Sequence, residues 1–293
     1  MGEALRRPLE TGRHVSGWAR ALGKNWFSFA LLMPWSAFTV LVFLWLVSSS
    51  FRTNQELYSN LWGLPRGLDW ANYAKAWGVA HIGAYFSNSL VVVLTSVLAT
   101  TFLGAMGAYA LARIRFPGFT PVFYSLIGGM AVPVQLLLVP LFMVLAKMHL
   151  VNKHLGLIIA YTAYLLPFTM FLLVGFFRTL PTELEEAAAM DGASDLLIFW
   201  RIMLPLAAPG LVTAAIFNFI TVWNEYLLAL VLLSKASTWT VSLGLYNLRV
   251  VMGSTSDWVS LFAGVVIVLL PSLLIYVTLS DRVISGLTLG ATK

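Results

Sequence analysis

Six long apolar runs alternate with shorter polar segments along the chain. Each run has about 20 residues or more, which is enough for a helix rising about 1.5 Å per residue to cross a hydrocarbon core of about 30 Å. The runs lie at Phe27–Val47, Tyr85–Ala112, Pro121–Ala146, Leu155–Phe177, Pro209–Leu233 and Trp258–Leu279. The pattern predicts an all-α, polytopic membrane protein with six transmembrane helices.

The first apolar run follows a basic segment, as the apolar region of a secretory signal peptide would. It is too long for such a region, and no A-x-A cleavage site follows it. We therefore expect a retained transmembrane helix. The predicted organisation is a tail over 1–25, the first helix over 26–50, an external loop over 51–84, a core of five helices over 85–280 and a C-terminal tail over 281–293.

The distribution of basic residues predicts that both termini are cytoplasmic. In that orientation eleven of the Lys and Arg residues fall in inside segments and seven in outside segments. Positive charge is enriched on the cytoplasmic side, and the first helix usually dominates the orientation. The external loop carries Trp62, Trp70, Tyr73 and Trp77. Such aromatic residues are typical of a segment at the headgroup level, although contact with an external partner is an alternative.

Composition excludes several other classes of protein. The chain is 59% hydrophobic and 10% charged, against about 25% charged in a typical soluble protein. Its net charge of +6 is explained by membrane orientation, so we expect no nucleic-acid partner. Because the chain has no cysteine and its four histidines lack ligand spacing, we also expect no metal site.

The largest cytoplasmic loop, 180–205, holds five of the chain's twelve acidic residues. Thr182 followed three residues later by Glu185 is a capping-box pattern, which predicts a short helix beginning at Glu183. Gly192 supplies the residue that a left-handed helix end favours. The loop therefore has a structure of its own.

The predicted short helix presents a thin face that another surface can approach closely, because two alanines lie on it. The residues of this face are Leu184, Ala187, Ala188 and Asp191. A second helical segment is predicted over 195–204, with Ser194 as its N-cap and Pro205 at its end. Local physics alone leaves two alternatives open, a solvated helical loop and a docking element.

The loop also contains the pattern E-A-A-x3-G-x9-I-x-L-P, which resembles the EAA signature of bacterial ABC importer permeases. The matching residues are Glu186, Ala187, Ala188, Gly192, Ile202, Leu204 and Pro205. In that family the loop is a coupling helix, which docks into a cleft on the ATPase subunit and transmits its closure to the membrane helices. The resemblance implies the type I ABC importer permease fold, and an ATPase-coupling role for the matching residues together with Glu183 and Asp191.

Other stretches are similar to the carbohydrate-uptake branch, specifically the smaller, six-span subunit of maltose-type permeases. They are Asn88-Ser-Leu-Val-Val, Ala110-Leu-Ala-Arg-Ile-Arg-Phe-Pro-Gly, Asp191-Gly-Ala-Ser and Trp223-Asn-Glu-Tyr-Leu-Leu-Ala-Leu. The likeness extends from about Leu44 to the C-terminus. It implies a complex in a bacterial or archaeal inner membrane, made of this chain, a second and usually different permease subunit, two ATPase subunits and an external binding protein that delivers a sugar.

We expect no enzymatic activity from this chain itself. It lacks the Gly-x4-Gly-Lys-Ser/Thr loop that cradles nucleotide phosphates. ATP and Mg are therefore expected on the partner ATPase, and no cofactor is expected on this chain. Its remaining partners would be the sugar substrate and membrane lipid.

Glu225 is the one charged residue well inside a predicted span, where an ionised carboxylate costs at least a few kcal/mol. Asn218 and Thr221 share its helix face at i, i+3 and i+7. Such a stripe is typical of a substrate path, but hydrogen bonding between packed helices is an equal alternative. The candidate path residues are Gln135, Tyr161, Tyr164, Asn218, Thr221, Trp223, Asn224, Glu225 and Tyr226.

Glycine and proline residues within the apolar runs also predict local structure. Gly104 and Gly107 are predicted to permit close packing of the second span against another helix. Pro133 and Pro140 in the third span leave backbone carbonyls that protein or water must satisfy.

A rival hypothesis is a proton-coupled secondary transporter that uses Glu225 as its protonation site. Six spans without an evident inverted repeat argue against it, as does the EAA pattern. A membrane enzyme is a third alternative, but the sequence shows no catalytic cluster and no nucleophile elbow.

Overall fold

The computed structural model describes residues 26–114 and 116–291, which form helices and short connections. They belong to two compact units, one ending at Asp69 and the other beginning at Trp70. The predicted N-terminal tail, Arg115 and the last two residues lie outside the described residues. The all-α prediction is confirmed.

The first unit contains α1 (Trp26–Ser50) and α2 (Asn54–Ser59). Most side chains of α1 are exposed and apolar, as expected of a helix surrounded by lipid. A capping box begins α2, because Glu56 N–H donates to Thr53 Oγ1 (3.2 Å) and Thr53 N–H donates to Glu56 Oε2 (3.1 Å). This cap satisfies two backbone donors at the end of the first span.

The second unit begins with two short elements and four longer helices. They are α3 (Ala71–Ala74), a π-helix (Lys75–Val79), α4 (Ile82–Arg113), α5 (Phe119–Met130), α6 (Val134–Lys147) and α7 (His154–Thr179). The loop over 180–205 follows with α8 (Glu183–Met190), α9 (Asp195–Ile198), a π-helix (Phe199–Met203) and α10 (Leu204–Leu206). The remaining elements are α11 (Ala208–Asn224), α12 (Leu227–Leu232), a 3-10 turn (Ala236–Thr238), α13 (Val241–Thr255) and α14 (Trp258–Ala291).

Four described helices are long and apolar enough to cross a membrane. They are α1, α4, α7 and the part of α14 over Trp258–Leu279. Two pairs of helices joined at sharp bends are also long and apolar enough when each pair is counted as one span. The described residues then hold up to six candidate spans. The predicted count of six is therefore roughly consistent with the structure.

The apolar run over 121–146 is not one continuous helix. The segment forms α5 and α6, which meet at a bend of 106°. Pro133 has extended backbone angles and directly precedes α6. A proline at this position disfavours helical geometry in the preceding residue and lacks an N–H to continue the helix. Pro140, by contrast, is accommodated inside α6.

The apolar run over 209–233 is also divided between two helices. Helix α11 ends at Asn224, Glu225 is extended (φ −70°, ψ 132°), and α12 begins at Leu227. At its other end, α11 meets the segment over Asp195–Leu206 at a bend of 73°. The chain therefore bends before α11, and its helix is interrupted after α11.

Helix α4 packs chiefly against α7, and their close approach depends on glycine. A Cβ added at Gly104 would lie 2.7 Å from Thr169 Cγ2, and one added at Gly107 would lie 2.4 Å from Met170 Cε. The predicted close packing at these glycines is confirmed. One buried apolar cluster lies beside the loop over 180–205 and includes Phe177. A second includes Tyr161 and lies beside the break after α11.

We predict that Gly104→Ala destabilises the protein by about 1–3 kcal/mol, because the new methyl group overpacks the α4–α7 contact. Gly175→Ala on α7 is the matched control, since a Cβ there meets no atom within 4 Å. Thermal unfolding of the purified protein in detergent measures both changes. Equal midpoints for the two variants would contradict the close approach.

Candidate coupling loop and polar cluster

Helix α8 begins at Glu183 as predicted, but the capping box does not form. Thr182 has helical backbone angles (φ −73°, ψ −24°), and its side chain makes no capping hydrogen bond. The carboxylate of Glu185 lies beside Arg113 instead. An ion pair with a guanidinium is stronger than the capping hydrogen bond that the carboxylate would otherwise make. The start of the helix was therefore predicted correctly for an incorrect reason.

Gly192 ends α8 in the left-handed conformation, with φ +81°. The Ala193 N–H donates to the Ala188 carbonyl (3.0 Å), and the Gly192 N–H donates to the Ala189 carbonyl (3.0 Å). These two bonds are those of a Schellman motif, which satisfies carbonyls left free at a helix end. The prediction of a left-handed end at Gly192 is confirmed.

An ion pair joins the loop to the end of α4. Arg113 Nε lies 3.3 Å from Glu185 Oε1, and the two side chains are 10% and 17% exposed. Arg113 also donates to the Leu180 carbonyl (2.6 Å). Burial raises the pKa of Glu185, which lies outside the spans, while Arg113 and the Tyr109 hydroxyl act in the opposite direction. The pair therefore holds α8 to a membrane helix.

The remaining residues of the EAA pattern divide into an exposed set and a packed set. The exposed residues are Glu183, Glu186, Ala187, Asp191, Gly192 and Pro205. Ala188, Ile202 and Leu204 are half-buried and pack against the cluster that contains Phe177. One side of α8 is thus free to meet another surface, while the following segment is anchored in the protein.

The second segment of the loop differs from its prediction at both ends. Ser194 is extended, but its side chain makes no capping bond. The helix does not end before Pro205. It passes through the π-helix, in which Phe199 and Met203 are buried, and continues to Leu206. Pro205 lies in α10, directly after the π-helix.

Glu225 lies at the break between α11 and α12 and bonds to the helix that follows. Its carboxylate accepts hydrogen bonds from Leu228 N–H (2.8 Å), Ala229 N–H (3.3 Å) and the Tyr161 hydroxyl (2.6 Å). The first N–H groups of a helix have no partner within it, and a carboxylate is favoured there. The carboxyl group therefore satisfies two backbone donors at the start of α12 and bonds to α7 through Tyr161.

The other polar residues of α11 bond within the protein. Asn218 is buried and exchanges hydrogen bonds with Thr169 on α7 (Nδ2 to Oγ1, 3.0 Å). Thr221 donates to the Phe217 carbonyl (2.8 Å), and Asn224 donates to the Ile220 carbonyl (2.8 Å). Asn218 thus bridges two helices, whereas Thr221 and Asn224 remain exposed.

The aromatic candidates differ in their accessibility. Trp223 is only 1% exposed, and its Nε1–H donates to the Val268 carbonyl (3.0 Å), so its ring is closed to a substrate. Tyr226 is half-buried beside Tyr246, with ring centroids 5.5 Å apart. Tyr164 is half-buried near the break, and Gln135 is exposed on α6. The structure therefore brings together Tyr161 and Glu225.

The pairing of Arg113 with Glu185 had no signal in the sequence. Arg113 is the last residue of a long apolar helix, and the local pattern assigned Glu185 to a cap. Over residues 26–114 and 116–291, no three His, Asp or Glu side chains are placed to hold a metal ion.

The apolar spans and the broken helices define a multi-pass, α-helical membrane protein with a structured loop between two spans. The chain belongs to the family described as binding-protein-dependent transport system inner membrane component, whose sequence profile matches residues 101–285. This confirms the resemblance to ABC importer permeases found from the sequence.

Two curated relatives are permeases of carbohydrate transport systems. The chain is 41% identical to the diacetylchitobiose uptake system permease protein NgcG of Streptomyces coelicolor, over 91% of this chain and 88% of the relative. It is 30% identical to AmyC of Thermoanaerobacterium thermosulfurigenes, a probable permease for starch degradation products, over 84% of this chain and 88% of the relative.

A solved structure shares the fold. It is a chain of a bacterial ABC transporter involved in the import of the acidic polysaccharide alginate, with a TM-score of 0.70 and 22% sequence identity. The match covers 94% of this chain and 99% of that chain. The broken-helix architecture is therefore that of an ABC importer permease.

We predict that Arg113→Glu destabilises the loop by about 1–3 kcal/mol, because two mostly buried carboxylates would then face each other. The double variant Arg113→Glu, Glu185→Arg should recover part of this loss. Arg178→Gln is the control, since Arg178 is exposed in the last turn of α7. Thermal unfolding and protease cleavage within 180–205 measure the effect. No recovery in the double variant would refute a direct pairing.

Proposed function

We propose that this chain is a non-catalytic permease subunit of an ATP-driven, binding-protein-dependent sugar importer, and that it forms half of the translocation path. The observation that carries the proposal is the loop over 180–205, with an exposed short helix closed by Gly192 and held to α4 by Arg113. Because α8 is held to α4, it can transmit movement to the membrane helices. Because one side of α8 is exposed, a partner can bind there.

Exposed apolar side chains in the loop support docking by a partner. Met190 is 89% exposed, and Leu184, Leu196 and Leu197 are exposed as well. An apolar patch surrounded by polar residues is typical of a protein interface. The acidic residues Glu183, Glu186 and Asp191 would surround it. The proposed occupant is an ATPase subunit that carries the ATP and Mg.

The other proposed partners follow from the family. They are a second permease subunit, a second ATPase subunit and an external binding protein, in a bacterial or archaeal inner membrane. The basic N-terminal tail supports cytoplasmic termini. The names of the two relatives support a sugar as the substrate, and a short oligosaccharide in particular.

We predict that Gly192→Leu uncouples ATP hydrolysis from sugar uptake while leaving membrane insertion intact. A leucine in the left-handed conformation costs about 1–2 kcal/mol and would displace α8 from its docking position. Uptake by the reconstituted complex should fall roughly tenfold, and capture of the ATPase should weaken. Gly192→Asn is the matched control, because asparagine tolerates this conformation better. Normal uptake and normal ATPase capture by Gly192→Leu would refute the coupling role.

We predict that Glu225→Gln retains much of the ATP-driven uptake, because an amide oxygen can still accept hydrogen bonds at the start of α12. Uptake should also survive a protonophore when ATP is held constant. The proton-coupled rival requires the opposite, since it would lose its titrating group. Loss of uptake in Glu225→Gln, together with retention in Glu225→Asp and sensitivity to the protonophore, would replace the ABC importer hypothesis with that rival.

A further inference from the structure

A cavity of about 560 Å³ lies where α4 and α7 end beside the loop over 180–205. It is lined by Arg113 at the end of α4, by Arg178 in the last turn of α7 and by Thr182 near the start of the loop. Phe116 and Phe119 add an aromatic wall. Ligand sites typically have volumes of about 300–1,000 Å³ and combine apolar walls with a few polar groups. The cavity therefore has the size and lining of a ligand site.

The cavity carries an excess of positive charge. Of the described residues, two arginines and one glutamate line it. Arg113 Nε lies 3.3 Å from Glu185 Oε1, so these two charges offset each other. Arg178 is exposed and forms no ion pair with a carboxylate among residues 26–114 and 116–291. A ligand in the cavity would therefore meet one uncompensated guanidinium group.

Three side chains of the cavity have donors to offer. Arg113 uses Nε in the ion pair and Nη2 in the hydrogen bond to the Leu180 carbonyl (2.6 Å), which leaves Nη1. The guanidinium of Arg178 lies over the ring of Phe123, with Cζ 5.8 Å from the ring centroid. This contact is with the face of an aromatic ring and leaves N–H groups for an acceptor. The Thr182 hydroxyl makes no capping hydrogen bond, so it can also donate to a ligand.

The number and kind of these donors favour a phosphate group. A guanidinium binds phosphate through two parallel, charge-assisted hydrogen bonds. A phosphate carries several oxygens on one atom, so it can accept from two arginines and a hydroxyl at the same time. A carboxylate has its two oxygens in one plane and can satisfy fewer converging donors.

The position of the cavity favours a phosphate that belongs to a lipid. Both arginines end helices that are long and apolar enough to cross a membrane, and such helices end where the hydrocarbon core meets the headgroups. Basic pockets between transmembrane helices bind anionic headgroups. The rings of Phe116 and Phe119 meet edge to face, with centroids 6.1 Å apart, and would contact the apolar part of the lipid. The positive-inside rule explains single arginines at helix ends, but not two from different helices in one cavity.

We propose that Arg113, Arg178 and Thr182 bind a phosphate group, which the headgroup of an anionic phospholipid supplies. This site goes beyond the proposed function, because it involves neither the sugar nor the ATPase. Arg178 would provide the uncompensated charge, and Arg113 and Thr182 would each donate one further hydrogen bond. The bound phosphate would thus join the ends of α4 and α7 to the start of the loop.

The test is competition binding to the assembled complex in a neutral detergent. The reporter is a fluorescent short-chain phosphatidylglycerol, followed by its anisotropy. The competitors are unlabelled phosphatidylglycerol and phosphatidylcholine of the same chain length, and inorganic phosphate. We expect phosphatidylcholine to compete about tenfold less well, because its ammonium group would face Arg178. Inorganic phosphate lacks the apolar part and should need a concentration about a hundredfold higher.

Variants of the donors identify the site. Arg178→Gln should weaken binding of phosphatidylglycerol about ten- to a hundredfold, since it removes a charge-assisted contact. Arg178→Lys keeps the charge but not the planar fork, so its loss should be smaller. Thr182→Val should weaken binding about two- to tenfold. Arg201→Gln is the matched control, because Arg201 is an exposed arginine of the same loop that does not line the cavity.

The outcomes separate a specific site from general attraction between charges. Unchanged affinity in Arg178→Gln, with a thermal unfolding midpoint that shows the variant to be folded, would overturn the site. Equal weakening by Arg178→Gln and Arg201→Gln would overturn it too, because surface charge alone would then explain the binding. Displacement by inorganic phosphate at the concentrations that suffice for phosphatidylglycerol would overturn the lipid as the source. Sugar uptake is not measured, so each of these results leaves the proposed function standing.

Discussion

The fold depends on how backbone groups are satisfied where helices break inside an apolar environment. Water is not available there, so each free N–H or carbonyl needs a partner within the protein. After α11 the partner is the carboxylate of Glu225, which accepts from two N–H groups of α12 and is itself held by the Tyr161 hydroxyl. Glu225 therefore has a structural role at this break, because it satisfies backbone donors of α12.

Helix α4 connects the loop over 180–205 with the region around α13. At its C-terminal end Arg113 pairs with Glu185 of the loop. Near its other end Ser89 accepts from the backbone of α13, and Asn88 donates to the Trp239 carbonyl (3.0 Å). Since the helix is continuous over this distance of about 38 Å, it links the two regions without a flexible connection.

The polar residues of α11 show why a hydrophilic stripe does not by itself identify a substrate path. Asn218 points into the α7 interface and bonds Thr169, and Trp223 is closed off by packing. The accessible aromatic ring beside the break belongs to Tyr246 on α13, a helix that no intramembrane polar pattern had marked. Accessibility depends on which face each helix turns to its neighbours, and that is a property of the assembled helices.

The sequence by itself determined the features that depend on local chemistry. Hydropathy and length identified the apolar spans, and the left-handed preference of glycine located the end of α8 at Gly192. Tertiary structure decided the rest. Pro133 precedes a new helix whereas Pro140 stays within one, although both lie in the same apolar run. Glu185 does not form the predicted local cap but pairs with Arg113, 72 residues earlier in the chain. A mostly buried ion pair with a guanidinium is a stronger interaction than a solvated capping hydrogen bond.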